Sequence, residues 1–565
     1  MADKVQGLTG DFGFGKSNLP DLKSMPLRIM TVGNFCAANR SAAREPAVID
    51  AHNFDKRLSD FMPRALFEVE NFLGTGKTIE IDFSPSSIKD FEPRNIAARI
   101  KALAPVADFV RRARGLADGS LKPNDFKREL ADIQAVPALR EPLEMVFDKI
   151  GGTTHAAGGE MSDKDSVDTA IDSIFNMVDA NKPDAGASAI DSFAAGLGGS
   201  QKGIDVSAAI AAAEKLLEKQ LAPVLTHESV QALERNWRGL HLLCKRGKGA
   251  RIEVYDGDYD AWQESVYSAE SAGTSNAPLA MLLLADAVNN TPAGLEALQQ
   301  WGDAGQSLQC IVVFEAGEEF LRADMTVLAG MDAPANYFEG KAFEKWRSLR
   351  DKDGSRWLAA ALNPYVARPA YTRVKHGADL PALWGSPVWL VGATVAQSMD
   401  STGWPGSHTG ASHGEITGLP VHAHGIGDEY PLRALLSDRH LKDLNKSGFT
   451  PLMCQPNNDS AWVLLAPTVH RPSKAEEEGK LGTVAYQLVA ARIGEAIIRA
   501  KQRLSVPNDV DATVSNIEKY VGALLSDTGA GASVLARVNG RTLEIALRTG
   551  RNVLNGIELQ LGIGL

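Results

Sequence analysis

The sequence contains no uninterrupted apolar run approaching the ~20 residues a helix needs to cross a bilayer. Its start, MADKVQGLTG, lacks the apolar stretch of a secretory signal. Neither a membrane-inserted nor an exported chain is expected; a reduced, cytoplasmic one is. Cysteine is scarce: Cys36, Cys244, Cys310 and Cys454 are the four in 565 residues, with no C-x-x-C pair among them. That excludes a disulfide scaffold and the common cysteine zinc motifs. Positive charge is in deficit, and a net charge of −11 repels a phosphate backbone. No basic block with interleaved aromatics offsets it, so nucleic-acid binding is not expected, and Arg111, Arg112 and Arg114 read as a solvated helix face. The sequence has no G-x-S-x-G elbow, no H-E-x-x-H helix and no recognisable cysteine signature. Nothing singles out a general acid or base, so no catalytic residue, metal or cofactor is expected. Short solenoid-type repeats are absent as well.

What is present is a chain long enough for two or more domains, 44% hydrophobic and 23% charged. After a Gly-rich stretch of 25 residues, read as a flexible arm, PLRIMTVGNF alternates Leu27, Ile29 and Thr31 against Arg28 and Met30, a strand pattern. A second strand is expected at Lys77 to Phe83, and Arg94 to Leu116 has helical spacing. The polar, Gly-rich segment from Gly151 to Asp165 reads as a linker, closing a first domain over 26–150. Within 166–205, Val167, Ile171, Ile174, Phe175 and Val178 recur at spacings of three and four, the pattern of a short amphipathic helix between flexible flanks. A second domain covers 206–565. There SVQALERNWRGLHLLCK puts Val230, Leu233, Trp237, Leu240 and Cys244 on one stripe. Continuous apolar runs at Ala277 to Ala287, Leu308 to Ala316, Ser386 to Ala393 and Ser460 to Pro467 read as strands covered on both faces, which favours α/β layering. A long helix is expected from Val484 to Leu504, and GIELQLGIGL closes the chain as a period-two strand.

Three features imitate ligand chemistry. GDFGFGKS, Gly10 to Ser17, fits G-x-x-x-x-G-K-[ST] at every fixed position, but a phosphate loop needs a buried strand before it and a helix after it. Upstream is polar MADKVQGLT, and downstream NLPDLKSMP carries Pro20 and Pro26, so the segment reads as an arm whose Phe12 and Phe14 can anchor on a neighbour. GTGKT at Gly74 to Thr78 has Asn71 where the first glycine belongs and reads as a hairpin turn. His408, His413, His422 and His424 could ligate zinc, or could be ordinary loop and strand histidines.

The segment KAFEKWRSLRDKDGSRWLAAALNPYVARPAY, Lys341 to Tyr371, resembles the K-W-R-S-L-R region of the large sheath subunit of bacterial type VI secretion systems, the TssC/VipB family. ERNWRGLHLL, HGEITGLPVHAH, LLSDRHLKDLNKSGF and LGTVAYQLVAARIGEAI resemble further stretches of that family in the same order, with His413 and Gly414 standing where the family has a glycine pair. RIMTVGNF, VIDAHNFDKRLSDFMP and IDFSPSSIKDFEPRNIAARI are similar to the small sheath subunit, TssB/VipA. The resemblance implies both subunits in one polypeptide, joined through the linker.

It further implies mixed α/β sheets with helices, a helical outer region, and sheath-type domains completed by strands exchanged between protomers. The implied activity is structural: a six-fold helical homopolymer that assembles on baseplate proteins around a tube of hexameric rings. It contracts to drive the tube outward, and an AAA+ unfoldase then recycles it in the cytoplasm of a Gram-negative cell. The sheath of another phage-tail-like injection machine, or a P-loop NTPase, are the alternatives. The strand joints then fall at Leu27, Ile29, Ile557, Leu559, Leu561 and Ile563, and the unfoldase-docking helix at Val167, Ile171, Ile174, Phe175 and Val178. That helix reads equally as one packed on the body.

Overall fold

The computed structural model describes residues 25–39, 45–74, 76–128, 130–151, 204–272, 277–372, 379–425, 427–474, 482–506, 509–525, 532–539, 542–554 and 558–564. Residues 1–24 of the arm, with the segment GDFGFGKS, the linker beyond Gly151 and the whole Val167 to Val178 segment lie outside them.

Strands β1 (Leu27–Gly33) and β2 (Ala47–Ile49) come from the first half of the chain, as does the antiparallel hairpin of β3 (Ala65–Glu70) and β4 (Thr78–Phe83). The second half supplies β5 (Ala250–Asp256), β6 (Leu279–Leu284), β7 (Ile311–Glu315) and β8 (Leu358–Leu362). It also supplies two ribbons, β9 (Tyr365–Arg368) with β10 (Leu383–Gly385) and β11 (His422–Ala423) with β12 (Glu429–Tyr430). Strands β13 (Phe449–Met453) and β14 (Trp462–Val463) follow, and the chain ends on β15 (Ser533–Asn539), β16 (Thr542–Arg548) and β17 (Glu558–Gly564).

The principal sheet has eight strands in the order β14-β13-β8-β7-β6-β1-β5-β2. Its interior ladders are parallel and only the edge strands β2 and β14 run antiparallel. Parallel strands carry cover on both faces, and β1, β7 and β8 are buried along their entire length. The alternation read in β1 sends Leu27 and Ile29 into one core, with Val254, Met281, Leu283 and Val313. Met30 and Val32 go to the other, with Tyr255, Leu282, Val312 and Phe314. The first core is closed by helices Glu228–Arg246 and Val388–Thr402 together with the body of the first half. The second is closed by Pro292–Leu308 and the aromatic side chains Phe320, Trp346 and Phe449. A third, smaller core joins helices Val484–Leu504 and Val510–Leu525 to the β15-β16-β17 sheet.

The α/β class read from the sequence is observed, and so are the 484–504 helix, the stripe on Glu228–Arg246 and the hairpin around Gly74. Three local readings are corrected. Ser386 to Ala393 is not a strand: Val388–Thr402 is a helix buried on every side over its first turns. An all-apolar run carries no period, and here the helix is launched from Pro387. Arg94 to Leu116 is two helices, Pro93–Arg99 and Ala104–Ala117, the second beginning with Pro105 in its first turn, where a missing N–H costs nothing. Ser460 to Pro467 contributes only the two-residue edge strand β14.

Candidate assembly surfaces

The motifs that carried the resemblance in the two halves touch one another. The loop after β1 lies under the Glu228–Arg246 helix, where Trp237 Nε1 donates to the Phe35 carbonyl at 3.0 Å. Asn236 Nδ2 donates to the Asn34 carbonyl at 3.0 Å and to Asp286 Oδ1 at 3.1 Å. Phe35, Phe54 and Phe61 of the first half stand edge-on to the Trp237 ring, with centroids 5.5 to 5.8 Å away. Gly239 is required by the neighbour it faces, since a Cβ there would lie 2.1 Å from Trp389 Nε1. Below this point Arg28 of β1 is buried with Glu253 and Glu270, its Nη2 lying 2.8 Å from a carboxylate oxygen of each. These carboxylates raise its pKa against the opposing effect of burial. Gln220 bridges the halves again, accepting from Phe72 N at 2.7 Å and donating to the Glu70 carbonyl at 2.8 Å.

This seam fills the place where a doubly wound sheet usually holds a ligand. The order β5-β1-β6-β7-β8 is of the 2-1-3-4-5 kind, whose crevice opens at the carboxyl ends of β1 and β6. Here Asn34 N donates to Asp286 Oδ2 at 2.8 Å, and Phe35 N and Cys36 N donate to Asp256 Oδ1 at 2.7 and 3.0 Å. A Cβ on Gly33 would meet Ala285 Cβ at 2.7 Å. The chain's own loop and carboxylates therefore occupy the crevice. Glu315, at the carboxyl end of β7, is also buried, which raises its pKa against the attraction of Arg235 and a hydrogen bond with Ser386.

The K-W-R-S-L-R motif is a clasp. Trp346 Nε1 donates to the Ser447 carbonyl at 3.1 Å, and the buried Arg350 donates to the carbonyls of Val469 and Lys446 at 2.9 and 2.7 Å. Burial lowers the Arg350 pKa to about 10. Of the four histidines, His422 and His424 meet edge-on with ring centroids 4.8 Å apart, but no third metal-ligating side chain joins them among the described residues. His408 is buried with Nδ1 2.9 Å from the Pro405 carbonyl, while His424 stacks on Tyr430 at 3.7 Å and His422 packs edge-on to Trp384. No side-chain position is described for His413. Among the described residues no group of three or more His, Cys, Asp or Glu side chains is arranged to hold a metal ion.

The strand-joint residues fall in different environments. Leu27 and Ile29 were expected to pair with a neighbouring protomer, but β1 is hydrogen-bonded on one side to β5 and on the other to β6 of its own chain. With both edges used and both faces buried, it has no group left to offer, and that reading is corrected. β17 differs, because it pairs with β16 alone in the described residues. Leu559 is fully buried in the third core, Leu561 is half-buried, and Ile563 stands opposite Leu543 in the register. Ile557 lies outside the described residues, like Val167, Ile171, Ile174, Phe175 and Val178. A groove of about 450 Å³ borders β17, lined by Pro26, Leu27, Leu488, Ile498, Leu561 and Gly562. Met25 enters the fold nearby, its carbonyl accepting from Arg492 Nη2 at 2.6 Å. Sequence reasoning missed this meeting of the chain's beginning and end. The apolar Ile498 is 55% exposed beside this groove, and no local period in the sequence marks it.

Residues 18–146 match the family described as "Type VI secretion system, VipA, VC_A0107 or Hcp2", and residues 255–470 match VipB, "EvpB/VC_A0108, tail sheath N-terminal domain". The chain joins a VipA-type segment to a VipB-type segment. The type VI secretion system sheath protein TssC1 of Pseudomonas aeruginosa is 22% identical over 312 residues, 48% of this chain and 63% of the relative. The chain thus spans less than two thirds of that relative's length. Among solved structures it is similar to the contracted sheath complex of an extracellular contractile injection system, PVC, with 13% identity and a TM-score of 0.33 over 58% of this chain and 76% of that one. It is also similar to a sheath tail protein from Desulfitobacterium hafniense, with 11% identity and a TM-score of 0.32 over 54% of this chain and 60% of that one. In these terms the VipA-type segment provides β1 to β4, and the VipB-type segment runs from the end of β5 through β14. The helix that receives Phe35 lies between the two matched regions.

Proposed function

We propose that the protein is the structural subunit of a contractile sheath of the type VI secretion kind, a non-enzymatic protomer that polymerises helically around an inner tube and shortens to propel it. The observation that carries this reading is β1: a strand of the VipA-type segment is hydrogen-bonded between β5 and β6, so one chain builds a complete two-component body. Fusion fixes the ratio of the two components at one to one and raises the effective concentration of one for the other.

Among the described residues one edge of β17 carries no strand, which supports strand addition between protomers, in which main-chain hydrogen bonds give affinity and alternating side chains set register. An unpaired edge is a hazard to a monomer and a joint in a polymer. With β1 paired within its own chain, the contact at this edge is proposed to come from the arm of residues 1–24, whose Phe12 and Phe14 read as anchors on a neighbour. In this reading the strands hold while rigid bodies rotate during contraction. A hexameric inner-tube protein, baseplate proteins and an AAA+ unfoldase acting through Val167 to Val178 are the partners this function calls for, in the cytoplasm of a Gram-negative cell. Electron microscopy of the purified full chain tests it. Tubes or stacked rings are expected, and a dispersed monomer at every concentration and ionic strength overturns the reading.

A further inference from the structure

The helices Ala104–Ala117 and Ser207–Leu225 come from opposite halves of the chain and pack on each other, leaving between them an open groove of about 910 Å³. Its floor is apolar, with Val110 and Leu221 buried and Ala107, Leu121 and Leu217 half-buried. Its rim is mainly basic: Arg94, Arg111, Arg112, Arg114 and Lys215 face three acidic side chains, Asp118, Glu214 and Glu218. Three of these arginines are partly neutralised, Arg111 and Arg112 by Asp108 and Arg114 by Glu214. Arg94, Arg111 and Lys215 are exposed.

We propose that this groove is the seat of the chain's own segment 165–179, which lies outside the described residues, and that an unfoldase acting through Val167 to Val178 must first displace it from there. The place where the chain leaves and returns argues for it. It leaves at Gly151, the end of helix Arg140–Gly151, which packs on Ser207–Leu225. It returns at Ile204, whose N–H donates to the Leu116 carbonyl at 3.1 Å, next to Gly115 on the groove wall. Both ends of the interval 152–203 are thus held at the helices that form the groove. Charge argues for it as well, because residues 163–184 hold six aspartates and two lysines, opposite in sign to the rim. The spacing fits a groove with an apolar floor and a basic edge: Val167, Ile171, Ile174, Phe175 and Val178 form one helical stripe, and Asp168, Asp172 and Asp179 share the side next to it. A docked amphipathic helix would then span the seam between the halves.

The test uses the full chain with Ala211→Cys and Ile174→Cys, the four native cysteines being buried. Mild oxidation is expected to join the two introduced thiols within one chain, read as a linked peptide pair by mass spectrometry. Mixing isotopically light and heavy chains separates intrachain from interchain links. No link, or links only between chains, overturns the proposal, the second result assigning the groove to another copy. Reversing Arg111→Glu and Lys215→Glu is expected to lower the link yield about fivefold, the scale of two exposed ion pairs. Adding Asp168→Lys and Asp172→Lys should restore it. A yield indifferent to both changes overturns the charge argument and the seat with it, and an unchanged melting temperature in each variant keeps misfolding out of the reading.

Discussion

The indole N–H of Trp237 donates to the carbonyl oxygen of Phe35 at 3.0 Å, across 202 residues of chain. One group belongs to the helix carrying N-W-R-G-L and the other to the loop after β1, so this bond ties the VipA-type segment to its receiving helix. Trp237→Phe keeps most of the ring contacts and leaves the Phe35 carbonyl buried without its donor, an expected loss of about 1–3 kcal/mol. Trp237→Ala removes a fully buried ring and should cost about 3–5 kcal/mol. Urea unfolding of the two variants, compared with the parent, measures the difference. Equal stabilities for all three would show that the seam does not depend on this residue.

Gly239 offers the opposite perturbation. Adding one methyl group there places a carbon against the Trp389 indole, and overpacking of a tight core costs about 1–3 kcal/mol. Gly239→Ala should lower the melting temperature, and Gly239→Ala combined with Trp389→Val should recover part of the loss. Failure of the second change to help would place the strain elsewhere in the helix.

His408 links stability to pH. Burial lowers its pKa from 6.5 to about 4, so between those values the unfolded chain binds a proton that the folded one refuses. Stability from this group is complete above about pH 6.5 and is lost as pH falls toward about 4, by about 3 kcal/mol in all. His241, lowered to about 4 by burial and by Lys245, acts in the same direction. Denaturant midpoints for His408→Gln should change less between pH 7 and pH 4.5 than those of the parent. Parallel pH profiles would reject the assignment.

The joint at β17 gives a test that separates edge from core. Removing residues 1–24 should leave the melting temperature within a few degrees and abolish long tubes. Leu559→Asp should instead unfold the C-terminal module, because that side chain has no exposure. Normal tubes from the shortened chain would move the joint away from β17.

The unfoldase assignment is separable from assembly. Deleting residues 165–178 should leave tubes intact and remove binding of an AAA+ unfoldase, measured by co-sedimentation. Retained binding would sink the assignment.

The sequence made some of this legible and hid the rest for physical reasons. The period-two pattern of β1, the stripe on Glu228–Arg246 and the 484–504 helix could be read because one local period dominates each. Val388–Thr402 could not, since a helix apolar on all sides has no polar face to mark its turn. β1 was recognised as a strand and assigned the wrong role. Pattern reports that Leu27 and Ile29 face a core, and only the pairing with β5 and β6 reports whose strands supply the hydrogen bonds. The crevice at β1 and β6 was equally hidden, because Asp256, Asp286 and Asn236 are far apart in sequence and meet only through the parallel crossovers.

The central position of β1 sets a timetable. Made among the first residues of the chain, β1 cannot complete its pairing until β6 has left the ribosome about 250 residues later, a wait of roughly 12–50 s at ordinary rates of synthesis. For that interval an apolar strand with two open edges must be shielded by the hairpin and helices of its own half or by a chaperone. Keeping both halves on one message makes the wait a fixed delay, set by translation and independent of how often two separate chains meet.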